Sequence, residues 1–486
     1  MEKVNAYQHI TLSKFNTMQR TIALFISISL SLMSCARFQD RPLIPSESIA
    51  SLETRSLANA NLKQFIETVL GPETGWSNCK WNLDKLSLAA IYYHPDLALA
   101  RAQADTADAA IKTAGQRPNP TISVTPTWIR NLATAAVPWI AASAINIPIE
   151  TAGKRGFRID KTEHLTDAAR LRVIDAAWMV RGRLRLALLE AYAATEAERL
   201  INQQLGIQQS IVQRLEQQRS VGEISHLELI RSHIVLNQLK LNESAAQKRT
   251  AESRVLLATA IGIPVDGLNG IELDFSNLSA PPNLKTIPVA KLKEHALLSR
   301  PDVLAALADY SAAQSALQLE TANQYPNIQV NPAYAWEMGE HRWSLGLTTL
   351  QLPILHQNQG PIAEAEAKRR EIAVRFEALQ FRILGEIDKV HAGVAAVMTK
   401  WDDAEKQIHI QRENLKTIQA LTKIGETDQL ALLGAQLEAA VAERARLDVL
   451  VETQQTLNVL EDTLRIPLTS LLSTASIADY ANRKIP

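Results

Sequence analysis

Cys35 is the residue whose setting points most directly to covalent chemistry. Lys14 and Arg20 precede an apolar run from Thr21 to Met33, which closes on Leu32-Met33-Ser34-Cys35-Ala36. The run is too short to span a bilayer as a helix and reads as the core of a secretory signal. The small Ser34 before the cysteine resembles a bacterial lipobox, in which the thiol is diacylated and becomes the mature N-terminus. Ala36, in place of Asp, favours sorting to an outer membrane by analogy with known lipoproteins. An ordinary signal peptide with a chance cysteine is the competing reading, and Met18 is a second candidate start beside Met1. With Cys35 acylated, Cys79 has no intrachain partner and no disulfide framework is expected.

Nothing else assembles a reactive site. The chain has no Gly-rich phosphate loop, no His-Glu-x-x-His, no cysteine cluster and no Gly-x-Ser-x-Gly, so neither a catalytic residue nor a cofactor is expected. His226 and His233 lie seven apart on one helix face, but a pair without a third ligand reads as a solvated face, and no metal is expected. Lys154, Arg155 and Arg158 read the same way, as a solvated basic helix start. Basic and acidic residues balance at 51 each, which predicts neither a nucleic-acid partner nor an acidic surface.

The elements that carry these residues are written twice. From His94 to Pro126 and from Arg300 to Pro332 the chain aligns without a gap at a shift of 206, with ten of 33 pairs identical. Val221-Gly222-Glu223 answers Ile424-Gly425-Glu426, and Ile263-Pro264 answers Ile466-Pro467, both at a shift of 203. Turn residues recur where the chain must change direction, so one supersecondary unit has been duplicated.

Each unit opens with a helix-favouring stretch, Pro95 to Arg117 in the first, with Pro and Asp placed for a helix start. Strict alternation follows. Ile122, Val124, Pro126 and Trp128 share one face, with Thr121, Ser123, Thr125 and Thr127 on the other. In the second unit Ile328, Val330, Pro332, Tyr334 and Trp336 oppose Gln329 and Asn331. A returning strand runs from Trp139 to Ile149, and another starts near Trp343. All are near the length of a tilted strand crossing a bilayer. Trp128, Trp139, Trp336 and Trp343 lie at one end of the two hairpins, as an interfacial girdle requires. Pro126 and Pro332 remove ladder donors, for which a bulge is expected.

Long helical stretches follow, Gly156 to Val221 and Ile362 to Ile424. Returning helices run from Ser225 to Ile261 and from Asp428 to Leu464. Each short helix plus its returning helix nearly matches one long helix in length, so the two can stack end to end against it. Four strands cannot close a barrel, and open edges in lipid cost several kcal/mol per unpaired backbone group. Copies of the chain must therefore pool their strands.

Taken in order, the His94-Pro95-Asp96 and Arg300-Pro301-Asp302 helix starts and the Pro120-Thr121-Ile122 and Pro326-Asn327-Ile328 strand starts resemble the TolC-like outer-membrane efflux proteins. So do the Gly222-Glu223-Ile224-Ser225 and Gly425-Glu426-Thr427 turns and the helix-ending Gly262-Ile263-Pro264. Glu150 to Gly156 and Asn358-Gln359-Gly360 look like the subgroup paired with heavy-metal cation pumps.

The resemblance implies a mainly α fold with a transmembrane β part, a homotrimer whose 12-stranded β-barrel continues as a 12-helix periplasmic α-barrel. It implies a non-enzymatic exit duct in the outer membrane of a Gram-negative bacterium, working with a periplasmic adaptor and an inner-membrane pump on cations or small molecules. Gly222, Glu223, Gly425 and Glu426 would be the adaptor-contacting tips. Thr121, Ser123, Thr125, Gln329 and Asn331 would face the pore. Ala431 and Gly434 stand where some members carry gating aspartates, with Glu426 and Asp428 nearer the turn. The expected division is a signal peptide at 1–34, a lipidated linker at 35–80, repeats at 81–270 and 291–470 with a linker between them, and a tail at 471–486. A periplasmic adaptor, or a coiled-coil lipoprotein without a pore, is the rival from another class.

Overall fold

The computed structural model describes residues 37–71, 80–128, 139–282, 289–337, 340–347, 353–468 and 474–482. Cys35, Cys79 and the signal-like run lie outside them. The chain forms two units, Met1–Thr54 and Arg55–Pro486. In the first, the exposed helix α1 (Pro45–Glu53) starts on a proline, whose missing N–H would have no helical partner at that position anyway.

In the second unit, α2 (Ala60–Leu70), α3 (Leu83–Tyr93) and α4 (Pro95–Ala114) lead to β1 (Thr121–Trp128) and β2 (Trp139–Ile149). The long α5 (Lys154–Ser220) descends and α6 (His226–Ile261) returns. The second repeat is α7 (Val289–Ser299), α8 (Pro301–Ala322), β3 (Ile328–Glu337), β4 (Glu340–Leu347), α9 (Gln359–Lys423) and α10 (Gln429–Leu464). Helix α11 (Thr474–Asn482) closes the chain. The two long helices have 67 and 65 residues, about 100 Å each. Both returning helices have 36, so the lengths read from the duplicated turns hold.

The short and returning helices do meet end to end. Gly262 ends α6 at φ +90°, and a Cβ there would lie 3.0 Å from the Tyr93 and His94 backbone at the start of α4. Its repeat counterpart, Arg465, takes the same left-handed conformation at φ 54° despite its side chain. Two bonds to Asp175 Oδ1, at 2.7 and 3.1 Å, and one to Asp462 O hold it there. Arg300 completes the second junction by donating to Thr463 O at 2.6 Å.

Helix α5 is the hub. Helices α4 and α6 pack on it, as do α8 and α10 from the other repeat, and α9 packs beyond on α8 and α10. The helical order is thus α4/α6, α5, α8/α10, α9. The sheet repeats it as β1-β2-β3-β4, antiparallel throughout. Both layers therefore end at the same two places.

The stretches read as linkers and tail hold structure. Leu57, Leu62 and Ile66 are buried, and α3 is buried nearly all round against α2, α5 and α6. Trp81 N donates to Glu272 O and Asp274 N to Trp81 O, docking the segment after the first repeat. Ile477 and Ala481 of α11 are fully buried, with α11 packed on α5.

Candidate functional site

The sheet sorts its side chains by chemistry. Directly paired residues share a face. Thr121–Asn146, Ser123–Ala144 and Thr125–Ala142 are ladder pairs on one face. The last two continue across β3 at Ala333 and Ala335, and Gln329 stands beside Pro148. Asn331, two residues from both Gln329 and Ala333, takes the same face. Asn146 Nδ2 donates to Gln329 Oε1 at 3.3 Å on this face. All five residues assigned to a pore therefore share one small and polar face.

The other face carries Ile122, Val124, Ile145, Ile147, Ile149, Ile328, Val330, Leu345 and Leu347, nearly all exposed. Trp128 and Trp139 are ladder partners, and Trp336 pairs with Ala141 and His341. The Trp343 ring lies 4.8 Å from Tyr334, whose Oη shares a 2.7 Å hydrogen bond with His341 Nδ1. A contiguous apolar surface of this extent marks a membrane or protein interface.

The expected bulges are absent. Register is constant along every ladder, Pro126 sitting opposite Ala141 and Pro332 opposite Leu345. The β2–β3 ladder instead skips the two pairs at Asn331 and Pro332, so the missing N–H opens the ladder locally without adding a residue. Pro126 is tolerated because β1 is an edge strand within the chain.

The basic start of α5 is not a solvated face, which corrects the sequence reading. Lys154 is buried, its Nζ donating to Tyr325 O at 2.6 Å and Asn327 Oδ1 at 2.7 Å. Arg155 donates to Gly115 O, and Arg158 to Ala114 O, Gln116 O and the Glu150 carboxylate. These guanidiniums cap the orphaned carbonyls ending α4, while the lysine reaches the other repeat. In the second repeat Asn358 reaches the matching helix end, donating to Glu320 O, and Gln324 Nε2 donates to Thr321 O.

At the opposite end of the helices both turns have one geometry. Gly222 N donates to Arg219 O and Glu223 N to Gln218 O; Gly425 N donates to Thr422 O and Glu426 N to Leu421 O. This double closure requires the left-handed φ of +83° and +80° seen at the glycines, which L-residues adopt at a cost. Ser225 and Asp428 then accept from Glu228 N and Ala431 N as N-caps. Asp428 is thereby committed to its own helix, and Leu430 packs against the Leu215–Leu229 cluster of the first repeat. His226 and His233 gather no ligand set: no metal-holding group occurs among the described residues, and His233 faces Glu216 at 3.4 Å.

A buried polar knot between the repeats escaped the sequence reading. Arg181 and Arg185 of α5 both reach Glu461 Oε2 of α10, at 2.8 and 2.7 Å, all three residues at 2% exposure or less. Glu461 Oε1 accepts from Leu468 N at 2.7 Å. Asp462 lies against Gly182, where any Cβ would collide with both carboxylate oxygens. Burial, reinforced by neighbouring Glu461 and opposed by Arg465, pushes its pKa up to about 6. The only available signal was an Arg pair at i, i+4 and an acidic pair 280 residues away, with no local pattern to join them.

With this geometry in hand, the likenesses are consistent. The outer membrane efflux protein family model matches residues 87–263, within the first repeat. The pyoverdine export outer membrane protein OpmQ of Pseudomonas aeruginosa is 24% identical over 283 residues, 56% of this chain and 55% of its own. The cobalt-zinc-cadmium resistance protein CzcC of Cupriavidus metallidurans is 24% identical over 230 residues, 46% of this chain and 53% of its own. The chain thus spans about half the length of these two curated relatives. Among solved structures, the outer-membrane channel OprN superposes with a TM-score of 0.63 at 18% identity, covering 88% of this chain and 98% of that one. The CmeC outer membrane channel of Campylobacter jejuni gives 0.60 at 15%, covering 88% and 93%.

Proposed function

We propose that this chain, which belongs to the outer membrane efflux protein family, is the outer-membrane duct of a tripartite efflux system. Three copies pool their strands into a twelve-stranded barrel, and their helices continue it as a tube through the periplasm. The observation that carries this reading is the sheet, polar on one face, apolar and exposed on the other, and unpaired at β1 and β4. Unpaired backbone groups in hydrocarbon cost several kcal/mol each, so a sheet with that apolar face must close on further strands. In this reading Thr121, Ser123, Thr125, Gln329 and Asn331 line the water-filled bore. Trp128, Trp139, Trp336 and Trp343 sit at the outer interface.

The duct is passive, taking cations or small molecules handed on by an inner-membrane pump through a periplasmic adaptor, which docks at the turns of Gly222, Glu223, Gly425 and Glu426. OpmQ is named for pyoverdine and CzcC for metal cations. The two names differ in chemistry, which supports a reading in which the pump and not the duct sets the cargo.

Single cysteines at the five polar positions, in a chain carrying Cys79→Ser, should react in intact cells with a membrane-impermeant maleimide small enough to enter the bore. Cysteines at Ile122, Val124, Ile328 and Val330 should stay dark. Equal labelling of the two sets would end the channel reading.

Cys35 anchors the mature chain to the inner leaflet of the outer membrane, since two or more acyl chains bind stably at about 0.8 kcal/mol per buried methylene. Cys35→Ser should abolish palmitate incorporation, and unchanged labelling and mass would refute the anchor.

A further inference from the structure

We propose that the helical region holds a binding site for a small neutral aromatic molecule carrying one hydroxyl, between α5, α6 and the stretch that follows α6. The site lies within one chain and needs no second copy, so it stands apart from the duct reading.

A cavity of about 140 Å³ opens there. Its apolar walls are Ala191 of α5, Leu257 of α6, and Leu268, Ile271, Leu273 and Phe275 of the following stretch. Ala191, Leu257 and Leu268 are buried, so the floor is sealed from solvent. A cavity of roughly 150 Å³ walled by Leu, Ile and Phe stays dry and takes up benzene, so one aromatic ring is the size this space admits. Phe275 gives that ring an aromatic wall, itself packed on Tyr192 with ring centroids 5.5 Å apart.

One polar group decides what the ring must carry. The walls hold three hydroxyls, those of Thr195, Thr250 and Ser253. Thr195 Oγ1 donates to Ala191 O at 2.8 Å and Ser253 Oγ to Thr250 O at 2.9 Å, so both are used inside their own helices. Thr250 Oγ1 is buried and has no partner. A buried, unmet hydroxyl carries a desolvation penalty, which a ligand hydroxyl removes because each can donate to or accept from the other. Arg254, one turn beyond Thr250 on α6, lines the same space and sets it against cationic ligands. Its Nη2 donates to Leu268 O at 3.1 Å and Asn269 Oδ1 at 3.0 Å, which holds the third wall in place.

That wall is tied to both repeats. Trp81 clamps it through Glu272 O and Asp274 N, and further along Leu278 O and Ala280 O accept from Gln454 Nε2 of α10. An occupant against Leu273 and Phe275 therefore bears on the link between the repeats.

The test uses the full chain purified in detergent, with phenol and toluene as probes read by saturation-transfer NMR. Phenol should bind the parent saturably. Thr250→Val, nearly equal in shape, should lower the phenol-to-toluene affinity ratio about five- to tenfold, the effect of one hydrogen bond. Ala191→Leu fills the cavity and should abolish saturable binding of both probes with helix content unchanged. Where that variant fails to fold, Ile271→Trp on the irregular wall fills the same space and should do the same. No saturable phenol binding to the parent, or binding that survives the filled cavity, would overturn the site. An unchanged phenol-to-toluene ratio in Thr250→Val would overturn the role of its hydroxyl and with it the ligand class.

Discussion

Arginine in place of Val330 should keep the chain out of the outer membrane, while arginine at the adjoining Gln329 should not. Val330 lies on the inner strand β3, flanked across the ladder by Ile147 and Leu347 on the apolar face. A guanidinium there must enter hydrocarbon, at about 2–4 kcal/mol per copy near mid-depth. In a trimer the penalty is incurred three times. Gln329 is one residue away but on the opposite face, beside Asn146. Arginine there would stand in the aqueous bore at little cost, because alternate strand residues face opposite sides. The measurement is the amount of heat-modifiable, detergent-extracted protein in outer-membrane fractions. A sharp loss for Val330→Arg with near-normal levels for Gln329→Arg is expected. Equal levels for the two variants would mean that the sheet does not cross a membrane in this register.

That contrast was readable in the sequence because period-two alternation is a local property, visible in eight residues. The same holds for helix lengths, since glycine turns at Gly222 and Gly425 and proline stops at Pro118 and Pro264 punctuate the chain directly. Other features depend on groups brought together from far apart. Lys154, Arg155 and Arg158 look like any solvated basic helix start until α4 ends beside them and Tyr325 of the other repeat presents its carbonyl. The pairing of β2 with β3 joins the repeats through strands nearly 190 residues apart, and no turn signal specifies it. Arg465 was invisible for a different reason. A non-glycine residue at positive φ violates the local rule, and it is kept there by Asp175 on another helix.

Removing the carboxylate of Glu461 should be the most destabilising single change in the helical region, and neutralising its neighbour Asp462 should do the reverse. Glu461 Oε2 is the shared counter-charge of Arg181 and Arg185, all but sealed from solvent. Glu461→Ala strips both buried guanidiniums of the carboxylate they directly pair with, a loss on the order of 3–5 kcal/mol, because breaking a buried pair costs more than the pair contributes. Asp462 differs because its charge is the liability. Its pKa is raised from 3.8 to about 6, first by burial, so the folded chain binds that proton more tightly than the unfolded chain does. The ionisation cost is therefore fully present above pH 6, shrinks as pH falls, and is gone below about pH 4. A rise of that size corresponds to roughly 2–3 kcal/mol. Asp462→Asn keeps an acceptor for Asn458 Nδ2, which donates to Asp462 Oδ2 at 3.1 Å, and removes the charge. The Asp462→Asn variant should melt higher than the parent at about pH 7.5, and the difference should vanish near pH 4. Helical circular dichroism of the detergent-solubilised protein, followed against temperature at several pH values, reads both effects. A parent chain and Asp462→Asn variant with parallel pH profiles would mean that Asp462 does not titrate in this range, and an unperturbed Glu461→Ala melt would mean that the arginines find another counter-charge.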